Sequence, residues 1–289
     1  MNPTTHDPAS PATVPGLHRF DYRLRHDELG PGGWFPASVL TGVLQEAAID
    51  GSAAQGYPFR YYLRERGLWV IRRLAFRHDR PLRYDDALAV STWVAHVGKT
   101  SPVREYRFAS PANDATIARV RSHWVYLDAV SGMPKAIPDD LRAAFAPTGE
   151  TQTPLFEEPE PVDELRGEPW VALHTVGASD VDRAGHLKCC RFLTWIEDLL
   201  AAAGAAVGAR PGSVALASFD LQLLASARYG ERVRLVAHAD TAWRIAFTGD
   251  GDRALARAVA WPTTPDLAHA AFVPLAADLA QRLRCGPHR

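Results

Sequence analysis

The chain has 289 residues, with 32 lysines and arginines against 33 aspartates and glutamates, so its formal net charge is -1. This balance excludes a basic protein that binds nucleic acid mainly by neutralising phosphates. With 47% hydrophobic residues, the chain has enough apolar surface for a sizeable core. The longest apolar stretch, residues 199–209, is shorter than the ~18 residues that a membrane span needs, so no membrane partner is expected.

The three cysteines, of which Cys189 and Cys190 are adjacent, are too few for a disulfide framework or a four-thiolate zinc site. We therefore expect neither a metal nor a cofactor. The first residues show no basic segment followed by an apolar one, so no secretory signal is expected. Together these features predict a cytoplasmic globular protein.

Two segments of biased composition divide the chain. Residues 1–16 are rich in proline, threonine and alanine and have no hydrophobic period, which predicts a disordered lead-in. Residues 147–169 are rich in proline and glutamate, which predicts an extended, solvated linker. The division leaves an N-terminal unit at 17–146, a C-terminal unit at 170–265 and a tail at 266–289.

The two units show the same order of predicted elements. Each begins with a short strand, at 20–24 or 170–176, and continues into an apolar segment with helical period, at 37–54 or 187–206. Several short strands with hairpin-like turns follow each helix, which favours antiparallel pairing. A long antiparallel sheet wrapped around one central helix is the hotdog architecture. The sequence therefore predicts an α+β double hotdog, with two antiparallel sheets that each wrap around a helix.

Several short motifs follow one another in the N-terminal unit. They are Leu44-Gln45-Glu46-Ala47-Ala48, the run LWVIRRL from Leu68 to Leu74, Tyr84-Asp85-Asp86, and the run SHWVYLD from Ser122 to Asp128. In this order and spacing they resemble the acyl-ACP thioesterases of bacteria and plant plastids, which are double hotdogs. The resemblance covers nearly all of residues 20–140. It implies hydrolysis of an acyl thioester carried by acyl carrier protein or coenzyme A, with release of a free carboxylic acid.

A further motif precedes the helix of the C-terminal unit. The run SDVDRAGHL, residues 179–187, has two aspartates followed by Gly-His and resembles the hotdog thioesterase signature. Carried over residue by residue, the family's catalytic Asp and His match Asp182 and His186. The family's Asn position holds Ala184 instead. The family's later Glu falls near Arg228, at Ala227, while Asp220 lies close by but off the aligned position.

Thioester hydrolysis needs a base and hydrogen-bond donors for the oxyanion. We expect Asp182 to activate water directly or through His186. The backbone amides of Gly185 and His186, at the expected helix entrance, would bind the substrate carbonyl and its oxyanion. By the resemblance, Glu46 would face this site from the other unit as an accessory acid.

The acyl chain is expected in the N-terminal unit. Aligning the two helices on Glu46 and Glu197 places Phe35 opposite His186 and Pro31 opposite Asp182, so apolar groups replace titratable ones. We therefore expect one polar site and, in the N-terminal unit, an apolar acyl tunnel. Its predicted lining residues are Phe35, Leu40, Trp69 and Ile71.

Other interpretations of these residues stay open. Asp182 is also typical of a helix cap or turn residue, and Glu46 of an acid that caps a backbone group or pairs with an arginine. The segment from His26 to Gly30, followed by Pro36, nearly matches the motif of double-hotdog dehydratases that act on 3-hydroxyacyl thioesters. A non-catalytic acyl-binding or carrier-docking protein is a further alternative. A homodimer is a possible assembly.

Overall fold

The computed structural model describes residues 16–145, 147–148, 168–240, 242–269 and 271–285. The predicted lead-in, except Gly16, and most of the predicted linker at 147–169 lie outside these residues. Within them, no helix combines the length and the apolar character that crossing a membrane requires.

The N-terminal unit contains one long helix and five strands, with two short helices. In chain order these elements are β1 (His18–Tyr22), α1 (Ala37–Ala54), α2 (Phe59–Arg64), β2 (Gly67–His78), β3 (Leu88–Val97), β4 (Pro102–Ala109), β5 (Thr116–Asp128) and α3 (Asp139–Ala144). Helix α1 has the predicted bounds. Its buried stripe includes Leu40, Leu44 and Ala47, the spacing expected for a helix with one face on a core.

The C-terminal unit repeats this order and extends beyond it. Its elements are β6 (Trp170–Thr175), α4 (Cys189–Ala206), β7 (Ala215–Leu223), β8 (Arg232–Ala239), β9 (Trp243–Thr248), β10 (Ala254–Asp266), β11 (Ala271–Val273) and α5 (Ala277–Cys285). The segment predicted as a tail, 266–289, thus includes a strand that pairs with β10. It also includes a helix whose Leu283 carbonyl accepts a hydrogen bond from the buried Trp170 indole at 2.9 Å.

Helix α4 begins two residues later than predicted. The preceding residues form a closed turn, in which Asp182 N–H donates to the His186 carbonyl at 2.8 Å and Val181 pairs with Leu187 in an isolated bridge. Lys188 is still extended. The turn therefore uses the backbone groups that a helix beginning at Leu187 would need.

The strands of both units join in one sheet, which corrects the prediction of two. The described strands form an eleven-stranded sheet in the order β1-β3-β4-β5-β2-β7-β10-β9-β8-β6, with β11 on β10. The junction is the antiparallel pair β2–β7, in register from Arg73 opposite Gln222 to Arg77 opposite Ser218. Strand β2 is twelve residues long, so it pairs with β5 along one edge and with β7 along part of the other.

Polar and apolar contacts both hold this junction. The Arg73 guanidinium donates to both carboxylate oxygens of Asp220, from Nε at 2.9 and 3.0 Å. On the core side, the Phe76 and Phe219 rings stack with their centroids 5.1 Å apart. The hydrophobic core continues across the junction and includes residues of both long helices, which pack against each other.

Glu197 links the two long helices directly. From α4, its Oε1 accepts hydrogen bonds from the backbone amides of Ala37 at 2.8 Å and Ser38 at 3.4 Å, and its Oε2 accepts one from the Ser38 hydroxyl at 2.5 Å. A carboxylate at this place binds the free amides and the positive dipole end of α1. Burial nevertheless raises the pKa of Glu197 to about 7, against the lowering effect of these hydrogen bonds.

We expect Glu197 to make stability depend on pH. Its folded-state pKa lies above the ordinary value of 4.5, so the folded chain keeps a proton that the unfolded chain releases. The free energy of unfolding should therefore fall as pH rises from 4.5 to about 7, by roughly 3 kcal/mol from this group. Urea unfolding of the native protein and of Glu197→Gln across this range measures the difference.

Glu197→Gln keeps an acceptor oxygen for the α1 amides but has no titrating proton, so its curve should lack this component. Glu46→Gln, on the exposed face of α1, is the matched control and should follow the native curve. Parallel curves for the native protein and Glu197→Gln would contradict the assignment.

Candidate functional site

The turn at residues 182–186 is organised around one carboxylate. Asp182 Oδ1 accepts hydrogen bonds from the amides of Ala184 at 2.8 Å and His186 at 2.9 Å. The amide of Gly185 donates to the Asp182 carbonyl at 3.0 Å. Gly185 has a φ of +76°, which a glycine adopts without strain. Asp182 therefore fixes the shape of the turn, as the turn-residue interpretation predicted.

This geometry corrects the expected oxyanion site. The amides of Gly185 and His186 already donate to Asp182, and α4 begins only at Cys189. The amides at the helix entrance are instead those of Cys189 and Cys190, which donate to no oxygen atom of the described residues.

A cavity of about 750 Å³ extends from this turn into the N-terminal unit. The C-terminal unit contributes Asp182, Arg183, Ala184, His186 and Arg228. Since Asp182, Arg183 and Ala184 are exposed, this end of the cavity meets solvent; we call it the turn end. The N-terminal unit contributes Gln45, Ala48, Ile49, Ser52, Tyr57, Phe59, Tyr62, Leu63, Arg66, Gly67, Leu68, Trp69, Val94, Val97, Pro102, Arg104, Trp124, Ala129, Ile137, Arg142 and Phe145.

Trp69 is the one predicted tunnel residue that lines this cavity. Phe35, Leu40 and Ile71 belong to the main core and are at most 3% exposed. The cavity-facing stripe of α1 contains Gln45, Ala48 and Ser52, whereas Leu40 projects from the core-facing stripe. Ile71 lies where the register between β2 and β5 shifts. The cavity is thus in the predicted unit but has mostly different walls.

Glu46 does not reach the site. It is exposed and is not part of the cavity wall, whereas its neighbour Gln45 is. The reason is a one-residue error in the predicted alignment of the two units. The amide of Gly30 donates to the Trp34 carbonyl at 2.9 Å, as Asp182 does to His186, so Gly30 and Trp34 are their counterparts.

The corrected alignment places Gln45, rather than Glu46, opposite Glu197. It also places Ala37 and Ser38 opposite Cys189 and Cys190. In the N-terminal unit, the Glu197 carboxylate occupies the amides at the helix entrance. In the C-terminal unit, the equivalent amides of Cys189 and Cys190 donate to no oxygen atom of the described residues, and Gln45, which has a neutral amide side chain, lines the cavity. Among the described residues, a carboxylate thus occupies the first helix entrance and not the second.

A comparison of titratable groups does not identify Gln45, because its side chain is a neutral amide. Glycines gave the available signal: Gly33 and Gly185 both have positive φ, at +75° and +76°, and occupy the same place in equivalent turns. Aligning the sequence on these two glycines gives the observed correspondence.

The cavity wall has an excess of positive charge. Of the described residues, five arginines and a single acid, Asp182, line it. The two other positions considered for a catalytic acid supply no carboxylate to the cavity. The position of the family's Glu holds buried Ala227, whose carbonyl accepts a hydrogen bond from the Leu187 N–H at 3.0 Å. Asp220 binds Arg73 on the sheet.

The described residues give no support to a metal site, to a cysteine nucleophile or to a role of His26 at the cavity. They contain no group of three or more His, Cys, Asp or Glu side chains placed to hold a metal ion. Burial raises the pKa of the Cys189 and Cys190 thiols, which disfavours a thiolate nucleophile. His26 is exposed and packs edge-on against Tyr84, away from the cavity wall.

We expect the Asp182 side-chain oxygen to protect the turn. Asp182→Ala removes the acceptor of two amides, so hydrogen exchange at Ala184 and His186 should accelerate by about fivefold or more. Asp182→Asn keeps an acceptor oxygen and should leave these rates nearly unchanged. Exchange measured by NMR separates the two variants, and equal acceleration in both would contradict the role of this oxygen.

Comparisons with known proteins agree with the resemblance. Residues 16–145 match the family model described as the acyl-ACP thioesterase N-terminal domain. A chloroplastic palmitoyl-acyl carrier protein thioesterase of Gossypium hirsutum is 24% identical over 186 residues, which are 61% of this chain and 45% of that protein. A chloroplastic acyl-[acyl-carrier-protein] hydrolase of Cuphea viscosissima is 23% identical over 190 residues, 62% of this chain and 46% of the relative. The chain thus spans less than half the length of the curated relatives it matches.

Solved structures show the same fold over both units. An acyl-ACP thioesterase of Bacteroides thetaiotaomicron superposes with a TM-score of 0.71 and 18% identity, covering 86% of this chain and 98% of its own. The 12:0-ACP thioesterase of Umbellularia californica superposes with a TM-score of 0.72 and 16% identity, covering 86% and 97%. The resemblance predicted from the sequence motifs is confirmed, and the chain has the antiparallel hotdog fold.

Proposed function

We propose that this chain hydrolyses the thioester of an acyl group carried by acyl carrier protein and releases the free acid, and that its two units form a double hotdog. The observation that supports this most directly is the cavity. It joins the Asp182–His186 turn to a mainly apolar chamber in the unit that matches the acyl-ACP thioesterase domain. Cytoplasmic location and a homodimer stay predictions.

The acyl chain would lie in the chamber, with its thioester at the turn end. Side chains such as Ile49, Leu68, Trp69 and Trp124 provide apolar wall. Each methylene group removed from water would contribute about 0.8 kcal/mol of binding. A mainly apolar chamber of this kind suits an acyl chain better than a polar metabolite.

His186 and Asp182 are the groups placed to activate water. The His186 ring lines the cavity and makes no hydrogen bond to the described residues. Asp182 uses Oδ1 for the turn, while its Oδ2 accepts no hydrogen bond from them. A water between them would lose its proton to His186 or Oδ2 and attack the thioester carbonyl.

Gln45 and the free amides at the entrance of α4 would bind the oxyanion. The Gln45 amide lines the cavity, and the amides of Cys189 and Cys190 have no oxygen partner in the described residues. The N-terminal unit supports this role, since there the equivalent amides bind an oxygen of Glu197. Donors held in place before the reaction stabilise the developing charge.

The carrier would approach the turn end. Arg183 and Arg228 line the cavity there, and the Arg183 guanidinium lies over the Phe59 ring at 5.8 Å. A phosphopantetheine arm carries a phosphate, for which arginine is a suitable partner. The relatives named as acyl-ACP thioesterases favour acyl carrier protein over coenzyme A as the carrier.

Incubation with decanoyl-ACP tests the proposed function. We expect free decanoate and free carrier thiol in equal amounts. A hydroxydecanoyl-ACP substrate run in parallel should give hydroxydecanoate. An enoyl product would identify a dehydratase, and binding without turnover would identify an acyl-binding protein; either result would overturn hydrolysis.

Loss of the base should reduce turnover strongly. His186→Ala and Asp182→Asn are each expected to lower kcat by about 10²-fold or more, because positioned general-base catalysis contributes about 10²–10⁴. Asp182→Asn keeps the acceptor oxygen of the turn, so its loss of rate reports the carboxylate charge. Full turnover by Asp182→Asn would limit Asp182 to a structural role and leave His186 as the base. Unchanged melting temperatures show that the variants fold.

Gln45→Glu should close the open site. The new carboxylate would be equivalent to Glu197 and would occupy the amides of Cys189 and Cys190. We expect kcat to fall by about 10²-fold, the loss seen when an oxyanion donor is removed. Glu46→Gln, one position away on the exposed face, is the control and should keep native kinetics. Equal kinetics of Gln45→Glu and the native protein would exclude this oxyanion site.

A further inference from the structure

Arg104 is a cation in the cavity wall, and the part of the chain that the structure describes places no carboxylate beside it. It lies on β4 opposite Ser122 and lines the cavity wall. Its Nη1 donates to the Thr92 hydroxyl at 3.3 Å, and its guanidinium lies over the Phe145 ring at 5.6 Å. No described acid lies within ion-pair distance of it. Burial lowers the pKa of Arg104, but an arginine stays charged in proteins.

A second arginine increases this charge. Arg142, from α3, lines the same cavity and donates to the Ile137 carbonyl at 3.3 Å. The acid nearest to it, Asp139, is 3.8 Å away and has a side chain 99% exposed. An ion pair with so exposed a partner is weak. Two guanidinium groups therefore face the chamber with little compensating negative charge from the described residues.

The next residue on β4, Glu105, is a buried charge that another side chain of the protein neutralises. The Glu105 side chain is 0% exposed, and Arg121 on the neighbouring strand pairs with it at 2.6 Å. An unpaired buried charge is costly, whereas a paired and hydrogen-bonded one is tolerated. A chamber for a plain alkyl chain would gain from an aliphatic side chain at position 104. The arginine there indicates a ligand group that pairs with it.

Arg104 lies on a strand that two others, β5 and β2, separate from β7 of the C-terminal unit. Strand β2, with Trp69, adjoins that unit through β7, and β5 and then β4 follow across the sheet. At about 4.8 Å between neighbouring strands, β4 lies roughly 10 Å beyond β2. Trp69 and Trp124 line the wall on the two intervening strands. A chain with its thioester at the turn end would thus bring its distal end toward Arg104.

We propose that this cavity accepts acyl chains whose distal end is a carboxylate, which Arg104 binds inside the chamber. The inference rests on the proposed thioesterase function and specifies its substrate class. The planar guanidinium can bind a carboxylate through two parallel hydrogen bonds, and Arg142 adds attraction from α3. Hydrolysis adds hydroxide to the acyl carbon and a proton to the carrier thiol, so the product is a dicarboxylic acid.

Matched substrate pairs test the proposal. Decanoyl-ACP and the half-thioester sebacoyl-ACP have equal carbon number and differ only in a methyl or carboxylate end; octanoyl with suberoyl, and dodecanoyl with dodecanedioyl, repeat the comparison. In at least one pair we expect the native kcat/KM to be about tenfold higher for the carboxylate end. Arg104→Met should remove this preference, and Arg104→Lys should restore part of it.

Arg107→Met is the matched control. Arg107 lies on the same strand, binds Thr116 and Asp114 at 3.0 and 2.8 Å, and does not line the cavity. This variant should keep the native preference. If Arg104→Met lowered kcat/KM equally for both ends, Arg104 would be a structural residue and the proposal would be wrong.

The possible failures are distinguishable. Hydrolysis of methyl-ended substrates alone would overturn the carboxylate preference and leave the thioesterase function intact. If no substrate were hydrolysed, calorimetric binding of sebacate would still decide whether Arg104 binds a distal carboxylate. Binding about tenfold weaker to Arg104→Met than to the native protein or Arg107→Met would support the distal-carboxylate site, and equal binding would overturn it.

Discussion

The pairing of β2 with β7 is the constraint on which the arrangement of the molecule depends. Five residue pairs, together with the Arg73–Asp220 ion pair, turn the strands of two units into one sheet. Both long helices then pack against each other in one continuous core. This brings the entrance of each helix close to the other unit, as the Glu197 contact with Ala37 shows. A cavity wall made of residues from both units follows from the same geometry.

The two helix entrances show how one backbone geometry supports opposite outcomes. Each helix follows a similar glycine-containing turn, and its first amides have no acceptor within the helix itself. In the N-terminal unit those amides bind a carboxylate of the protein itself, and the turn has Gly30 and Trp34 in place of Asp182 and His186. In the C-terminal unit the amides stay free beside a charged turn. The position equivalent to Glu197 holds Gln45, so the N-terminal unit supplies no carboxylate there for the second entrance.

Much of the fold was predictable from local patterns, because helix period and turn residues act over short distances. They predicted the bounds of α1 and the repeated element order. The single sheet was not predictable, since β2–β7 pairing joins residues far apart in sequence. Of the residues proposed for the site, Asp182 and His186 line the cavity, whereas Glu46 does not and its neighbour Gln45 does; Leu40 lies in the core. Such errors arise because a one-residue shift on a helix rotates a side chain by about 100°.

The tandem arrangement also bears on how such a molecule evolves. In a symmetric homodimer of single units, every substitution appears at both helix entrances, so a residue that seals one also seals the other. Here the two copies of the unit are encoded separately within one chain. Glu197 can therefore seal one entrance, and hold two helices together by doing so, without any change at the other. With both units in a single chain, equivalent positions such as 45 and 197 can therefore differ, so one entrance can serve stability while the other keeps a different set of side chains.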